Sequence, residues 1–236
     1  MQIIAHRGAS GYAPENTLAA IRLALEQGAR AVEIDVHQTR DHELVVIHDD
    51  NLKRVGRKKG KIKDLRLSEV RAADVGSWFG ARFRGERVPK LTEVMDLLDG
   101  RTELQLEIKA GSRFYPGIEE RVLDLIHKRG ALKTTVVSSF DHVCLYAVRS
   151  LDPRARLGYL MGLTGFKTAL KECAELKAES LHISRRQANA RRVKAAQQAG
   201  LKVLVYTVNE AKPAARLEKM GGDAIFCNYP DLGLKA

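Results

Sequence analysis

No stretch of this chain strings together the ~18 apolar residues that a membrane-spanning helix needs, so no membrane span is expected. Cysteine is scarce. Cys144, Cys173 and Cys227 are odd in number, far apart and without metal-type spacing, which argues against a disulfide framework or a zinc site and for reduced, buried thiols. Met1 to Ala5, ahead of His6, have neither the basic nor the apolar region of a secretory signal, and a cytoplasmic location is expected. Equally missing are a G-x-G-x-x-G turn after a strand, a G-x-S-x-G elbow and a Walker A loop. Nothing therefore marks a dinucleotide crevice, a serine hydrolase or a P-loop enzyme.

Aromatic residues amount to 6% of the chain, with Trp78 the one tryptophan. That shortage bears on the net charge of +11, which by itself suits nucleic acid, an acidic membrane surface or a small anionic substrate. The densest basic run, Lys53 to Lys63 (K-R-V-G-R-K-K-G-K-I-K), has no interleaved aromatics for base stacking and reads as a solvated loop. Arg185-Arg186 and Arg191-Arg192 read the same way. No nucleic-acid partner is expected, and no feature reports the oligomeric state.

What the chain does have is a regular alternation of strand and helix patterns. Its 236 residues fit one α/β barrel, a fold that runs to roughly 200–250 residues. Apolar runs beginning at Ile3, Val32, Leu104, Thr135, Leu157, Ser180, Leu201 and Ala224 mark eight strands, each but the last followed by a helical segment or a longer connection. Helices are expected from Pro14-Glu15-Asn16-Thr17 to about Gln27, over Leu91 to Leu98, Asp141 to Ser150, Phe166 to Leu176, Ala190 to Ala199 and about Glu210 to Met220. The pattern predicts a (β/α)8 TIM barrel across residues 1–236, with a small inserted subdomain at about 51–89 after the second strand. A doubly wound open sheet is the alternative, disfavoured by the missing glycine fingerprint. Within the insertion, Ser77-Trp78-Phe79 form either a satellite apolar cluster or one wall of a substrate pocket.

The organising stretch is Ala31 to Asp50, A-V-E-I-D-V-H-Q-T-R-D-H-E-L-V-V-I-H-D-D. Two β-branched runs flank Asp41-His42-Glu43, the signature of a hairpin whose turn residue is His42. Alternation puts Glu33 and Asp35 on one face of the first strand, and His48 ends the returning strand where it can come back near them. By itself this is equally a half-buried hairpin with a solvated face. Glu103 to Lys109 alternates as strictly, adding Glu107 and Lys109 to a lumen-facing set, while Ile3 to Ala5 deliver His6 and Arg7 into a turn-rich loop.

Strand ends that converge on one barrel mouth thus collect His6, Arg7, Glu33, Asp35, His48, Glu107 and Lys109. Three crowded carboxylates raise one another's pKa unless a cation neutralises them, and oxygen-only ligands favour Mg2+ or Ca2+ over zinc. A structural salt-bridge network with Arg7 and Lys109 is the bland alternative. Two histidines suit general acid and base work, and a divalent ion with an arginine and a lysine suits a phosphoryl group. His37 shares the acid-bearing face beyond Asp35, with a supporting or loop role left open; His127, His142 and His182 are read as structural.

His6-Arg7-Gly8, Pro14-Glu15-Asn16-Thr17, Glu33-x-Asp35, Val46-Ile47-His48-Asp49, Glu107-x-Lys109, Ser138-Ser139-Phe140, Thr207-Val208-Asn209 and Asn228-Tyr229-Pro230-Asp231 occur in this order. With these motifs the chain resembles the glycerophosphodiester phosphodiesterase family, bacterial cytosolic type, over essentially its whole length. The resemblance implies one divalent cation, Mg2+ or Ca2+, on Glu33, Asp35 and Glu107. It implies His6 and His48 as base and acid, and Arg7 and Lys109 on the phosphate of a small anionic glycerophosphodiester. Its reaction would release sn-glycerol 3-phosphate and an alcohol. Tyr206, where tryptophan is common, and Val55-Gly56, where a threonine is common, depart from the pattern and bear on head-group preference. A lysophospholipase D-type activity would need an apolar groove, to be sought around Trp78 and Phe79. A non-catalytic binder of phosphate esters or nucleic acid would not need two histidines beside three acids.

Overall fold

In the computed structural model, which describes residues 1–232, the chain opens with β1 (Gln2–His6), α1 (Leu18–Glu26) and the hairpin β2 (Ala31–Gln38) and β3 (Leu44–Val46). Positions 233–236 of the expected domain lie outside the described residues. Short helices α2 (Lys53–Gly56) and α3 (Leu67–Arg71) follow, then α4 (Leu91–Leu98), β4 (Glu103–Ile108), α5 (Ile118–Lys128), β5 (Thr135–Ser139) and α6 (His142–Leu151). The remainder is β6 (Arg156–Leu160), α7 (Phe166–Leu176), β7 (Ser180–Ser184), α8 (Ala190–Gln198), β8 (Lys202–Tyr206), α9 (Ala211–Lys219) and β9 (Ala224–Cys227). Pairing runs β1-β9-β8-β7-β6-β5-β4-β2 and closes through β1–β2, so eight parallel strands form the expected barrel, with β3 antiparallel on β2 outside the ring.

Closure follows from the side-chain alternation. Leu104, Leu106 and Ile108 of β4 point outward into the main core shared with the helices, and Gln105 and Glu107 point inward. The lumen floor is a separate small cluster of Ile4, Ala31, Leu204, Ala224 and Phe226. At the N-terminal end Arg156 spans the strand starts, 2.9 Å from Glu103 and 2.7 Å from Glu179. The connection after β4, left open as helix or longer link, forms α5 because Ile118, Val122, Leu123 and Ile126 share one buried face. His42 takes the hairpin turn at φ 64°, as its sequence position suggested.

The insertion is more ordered than its polar sequence indicated. Leu52, Val55, Ile62, Val70, Val75 and Val88 bury together with Val45 and Ile47 of the hairpin, forming a core distinct from that of the barrel. Trp78 packs on this cluster, its Nε1–H donating to the Val75 carbonyl at 2.8 Å, with Phe79 edge-on to its ring. Of the two readings for Trp78, the satellite cluster holds. Most of the excess positive charge also resides in the insertion, on exposed side chains such as Lys59, Lys61 and Lys63 rather than inside the barrel. An insertion with its own core can loosen alone. Ile62→Ala is expected to cost about 2–5 kcal/mol locally. Hydrogen exchange should then quicken across residues 51–89 while β4 to β8 amides keep their protection; uniform loss of protection would show that the two cores unfold as one.

Candidate active site

β1 ends in an abrupt reversal. Arg7 and Gly8 both take positive φ, 57° and 79°, and a Cβ on Gly8 would lie 2.6 Å from the Ala20 carbonyl carbon. Left-handed backbone costs a non-glycine residue roughly 1–2 kcal/mol; here it swings the Arg7 N–H onto Glu33 Oε2 at 3.0 Å and its guanidinium Nε to 3.1 Å from Asp35 Oδ2. One residue thereby meets two of the acids, by backbone and by side chain.

Register brings the third acid across. Asp35 is paired with Glu107 on β4, and one carboxylate oxygen from each of Glu33, Asp35 and Glu107 can lie within 4.8 Å of the others. All three are buried. Asn16 donates to Asp35 Oδ2 at 2.7 Å, and Lys109 Nζ sits 2.8 Å from Glu107 Oε1 and 3.3 Å from Asp35 Oδ1. Those last two oxygens nevertheless accept no directed hydrogen bond, so the lysine touches them only as a charge. Burial, then the charge of Asp35, pushes Glu33 well above the usual carboxylate range and Glu107 up to about 7. Burial opposes ionisation of Asp35 too, but Lys109 and Arg7 hold it well below that range. Two cations thus face three acids. The oxygen-only donor set, its two undirected buried oxygens and its uncompensated charge fit a hard divalent cation.

The two histidines approach from different elements, each with Nδ1 engaged. His6 Nδ1 is 2.7 Å from Asn228 Oδ1, so the ring donates there and Nε2 keeps its lone pair. Burial, then the charge of Arg7, lowers His6 to about 4. His48 Nδ1 is 2.7 Å from Asp49 Oδ1, and Asp49, drawn down to about 2 by its hydrogen bonds from Arg54, is a fixed negative partner. Arg54 of α2 continues the chain: its Nε donates to Asp49 at 2.7 Å and its Nη atoms donate to Glu15 at 2.8 and 2.9 Å. Glu15 in turn accepts from Arg7 at 2.9 Å. The insertion therefore ties His48 to Arg7 through one guanidinium.

A second support lies beneath His48. Buried His37 is lowered to about 4 by burial, so the ring is neutral near pH 7. Its Nε2 donates to the His48 carbonyl at 3.1 Å, and its Nδ1 accepts from the Tyr115 hydroxyl at 2.6 Å. His37 thus has a supporting position. His6, Arg7, Glu33, His48, Glu107 and Lys109 line one cavity of about 220 Å3, with Ser138, Phe140, Leu160, His182, Tyr206, Thr207 and Phe226 on its other side. Asp35 lies in contact with Arg7 and Lys109. All seven residues gathered from the sequence come together.

The chain matches the glycerophosphoryl diester phosphodiesterase family over residues 6–232. It belongs to that family. A glycerophosphodiester phosphodiesterase of Caldanaerobacter subterraneus subsp. tengcongensis is 36% identical over 230 residues, covering 97% of this chain and 94% of the relative. One from Bacillus altitudinis is 33% identical over 238 residues, covering 99% and 97%. Among solved structures, an Oleispira antarctica phosphodiesterase in complex with the product sn-glycerol-3-phosphate superposes with a TM-score of 0.90 at 32% identity, covering 98% of this chain and 94% of that one. This family member is a phosphoric diester hydrolase.

Sequence reasoning missed Asn228, Asp49, Glu15, Arg54 and Tyr115 as partners of the site. All but Arg54 and Tyr115 stand inside motifs already noted, yet spacing cannot reveal which side chain holds a ring nitrogen. His182 was read as structural but borders the cavity. Arg54→Met is expected to lower diester turnover about tenfold or more by releasing His48 and Arg7 together. Far-UV circular dichroism should stay unchanged, and turnover equal to that of the unsubstituted protein would show the guanidinium to be dispensable.

Proposed function

We propose that this cavity hydrolyses glycerophosphodiesters to sn-glycerol 3-phosphate and an alcohol, with His6 as base and His48 as acid. The observation that carries the reading is the unequal partnering of two histidines beside one acidic cluster. His6 leans on a neutral amide with a guanidinium alongside, which favours neutral imidazole with Nε2 open to take a proton. His48 leans on a carboxylate, which holds a proton on Nδ1 and steadies the imidazolium against the burial and the Lys109 and Arg7 charges that lower its pKa overall, so that a proton on Nε2 is readily given up. His6 Nε2 removes the proton from water or from the substrate's own hydroxyl as the new P–O bond forms. His48 protonates the departing alkoxide as the old P–O bond breaks. Arg7 and Lys109, fixed by the acids, hold the phosphoryl oxygens.

Glu33, Asp35 and Glu107 would hold a divalent cation, Mg2+ or Ca2+. Bound there, it would supply Lewis-acid stabilisation of the phosphoryl charge and complete the neutralisation of the acids. The product complex of the Oleispira antarctica relative supports glycerol 3-phosphate as the retained fragment. Among the described residues no helix is long and apolar enough to cross a membrane.

One observation favours a second substrate class, lysophospholipids cleaved in the lysophospholipase D manner. Apolar surface is exposed beside the cavity, at Phe140, which also lines it, and at Leu163 on the loop after β6. It is not at Trp78, where the sequence reading placed the search.

The test is coupled release of glycerol 3-phosphate from glycerophosphocholine and glycerophosphoethanolamine, with lysophosphatidylcholine assayed beside them. EDTA is expected to abolish release and Mg2+ or Ca2+ to restore it. His6→Ala and His48→Ala should each lower turnover by about 10²–10⁴-fold. Release that survives both EDTA and His6→Ala would overturn the mechanism, and release from lysophosphatidylcholine alone would move the substrate class.

A further inference from the structure

Among the described residues the most exposed large apolar side chains are Leu163, which is fully exposed, then Val143 and Phe114 at 62% and 58%. Scattered exposed apolar groups are ordinary on a protein surface. These three are not scattered. Phe114 lies between β4 and α5, Val143 in the first turn of α6 after β5, and Leu163 between β6 and α7. All therefore stand at the C-terminal ends of strands that are neighbours in the ring. Phe140, also exposed, joins them from the end of β5 and lines the cavity.

The loops that carry them are braced into one rim. The Gly111 N–H donates to Asp141 Oδ2 at 3.2 Å, joining the first loop to the second. A Cβ on Gly162 would lie 3.0 Å from the Phe140 ring, and the Gln187 amide donates to the Gly162 carbonyl at 2.6 Å. Those contacts extend the rim to the third loop and to the loop after β7. Leu163 tops a tight turn in which the Thr164 N–H donates to the Met161 carbonyl at 2.9 Å, with Gly162 at φ 54°. Turn tips in water favour polar residues. An uncovered leucine held out on a closed turn suits an apolar medium instead.

The same end of the barrel is cationic. Arg113 precedes Phe114, Arg185 and Arg186 follow β7, and Lys167, Arg191 and Lys212 lie in the first turns of α7, α8 and α9. All six are exposed, and of them only Arg185 forms an ion pair among the described residues, with Glu210 at 3.4 Å. Of the acids on these segments, Glu119 is buried and Asp141 half-buried, which leaves Glu120 and Glu210 exposed. Apolar tips ringed by arginine and lysine, with few opposing acids, match the chemistry of an anionic lipid surface.

We propose that this rim docks on an anionic phospholipid bilayer. Leu163, Val143, Phe114 and Phe140 enter the boundary between head groups and acyl chains, and the six cations meet lipid phosphates. A protein partner would call for a shaped, complementary face, whereas a single leucine at a fully exposed tip is accommodated by a soft interface. Docking in this pose turns the cavity mouth toward the lipid, because Phe140 belongs to both. The inference goes beyond the hydrolase reading and does not depend on it, since membrane binding is measured without turnover.

The test is co-sedimentation of the full chain with vesicles of phosphatidylcholine alone and of phosphatidylcholine with about 30% phosphatidylglycerol. Binding to the mixed vesicles is expected to exceed binding to phosphatidylcholine by about tenfold or more. Leu163→Ser combined with Val143→Ser should weaken it about tenfold, through lost apolar contact. Arg186→Ala combined with Arg191→Ala should weaken it by about the same factor. A second measurement fixes the pose: Leu163→Trp fluorescence should be quenched by brominated acyl chains in the mixed vesicles, well beyond any quenching of the unsubstituted protein, whose one tryptophan is Trp78. Absence of binding, equal binding to both vesicles, binding that survives both pairs of substitutions, or an unquenched Leu163→Trp would overturn the docking surface. So would a dimer in analytical ultracentrifugation that Leu163→Ser with Val143→Ser splits into monomers, because the rim would then be covered by a second copy of the chain.

Discussion

Three carboxylates, Glu33, Asp35 and Glu107, share a buried space with Arg7 and Lys109, and much of the surrounding architecture follows from keeping that arrangement tolerable. Buried charges persist only when opposed and hydrogen-bonded. The left-handed turn at Arg7, the Asn16 amide on Asp35 and the parallel register of β2 with β4 each supply part of that opposition. Two cations face the three acids, and a buried oxygen-only cluster of this composition could hold a divalent cation.

The same constraint explains why the insertion belongs to the site. Its apolar cluster fixes α2 beside the hairpin, and α2 carries the arginine that bridges Asp49 and Glu15. An exposed ion pair contributes little to stability. As a positioning device it matters more, because it joins Asp49, the partner of His48, to Glu15, the partner of Arg7. His37 and Tyr115 do corresponding work from below, fixing the backbone at His48 without entering the cavity.

Differences in partner chemistry then separate otherwise similar groups. His6 and His48 both use Nδ1 for support, but one rests on an amide and the other on a carboxylate. Glu107 and Asp35 are adjacent across two strands, yet burial raises one while nearby cations hold the other down. The side of the cavity at Leu160, His182 and Phe226 completes the asymmetry, since the acids and the two cations that line or border it stand on β1, β2 and β4 or just after them.

Much of this was legible in the chain. Strict alternation at Glu103 to Lys109 and at Val32 to Val36 dictated which side chains enter a lumen, and the eight strand patterns dictated the barrel, since a parallel sheet buried on both faces must close or be doubly wound. The seven polar residues at strand ends followed from the same periodicity. Tertiary structure alone decided what those residues touch. Asn228 reaches His6 across 222 positions of sequence, Tyr115 reaches His37 across 78, and His182 meets the cavity because β7 closes opposite β2. Periodicity sets the face of a strand on which a side chain lies; only closure of the ring sets its neighbour across the lumen, because that distance is fixed by strands far apart in the chain.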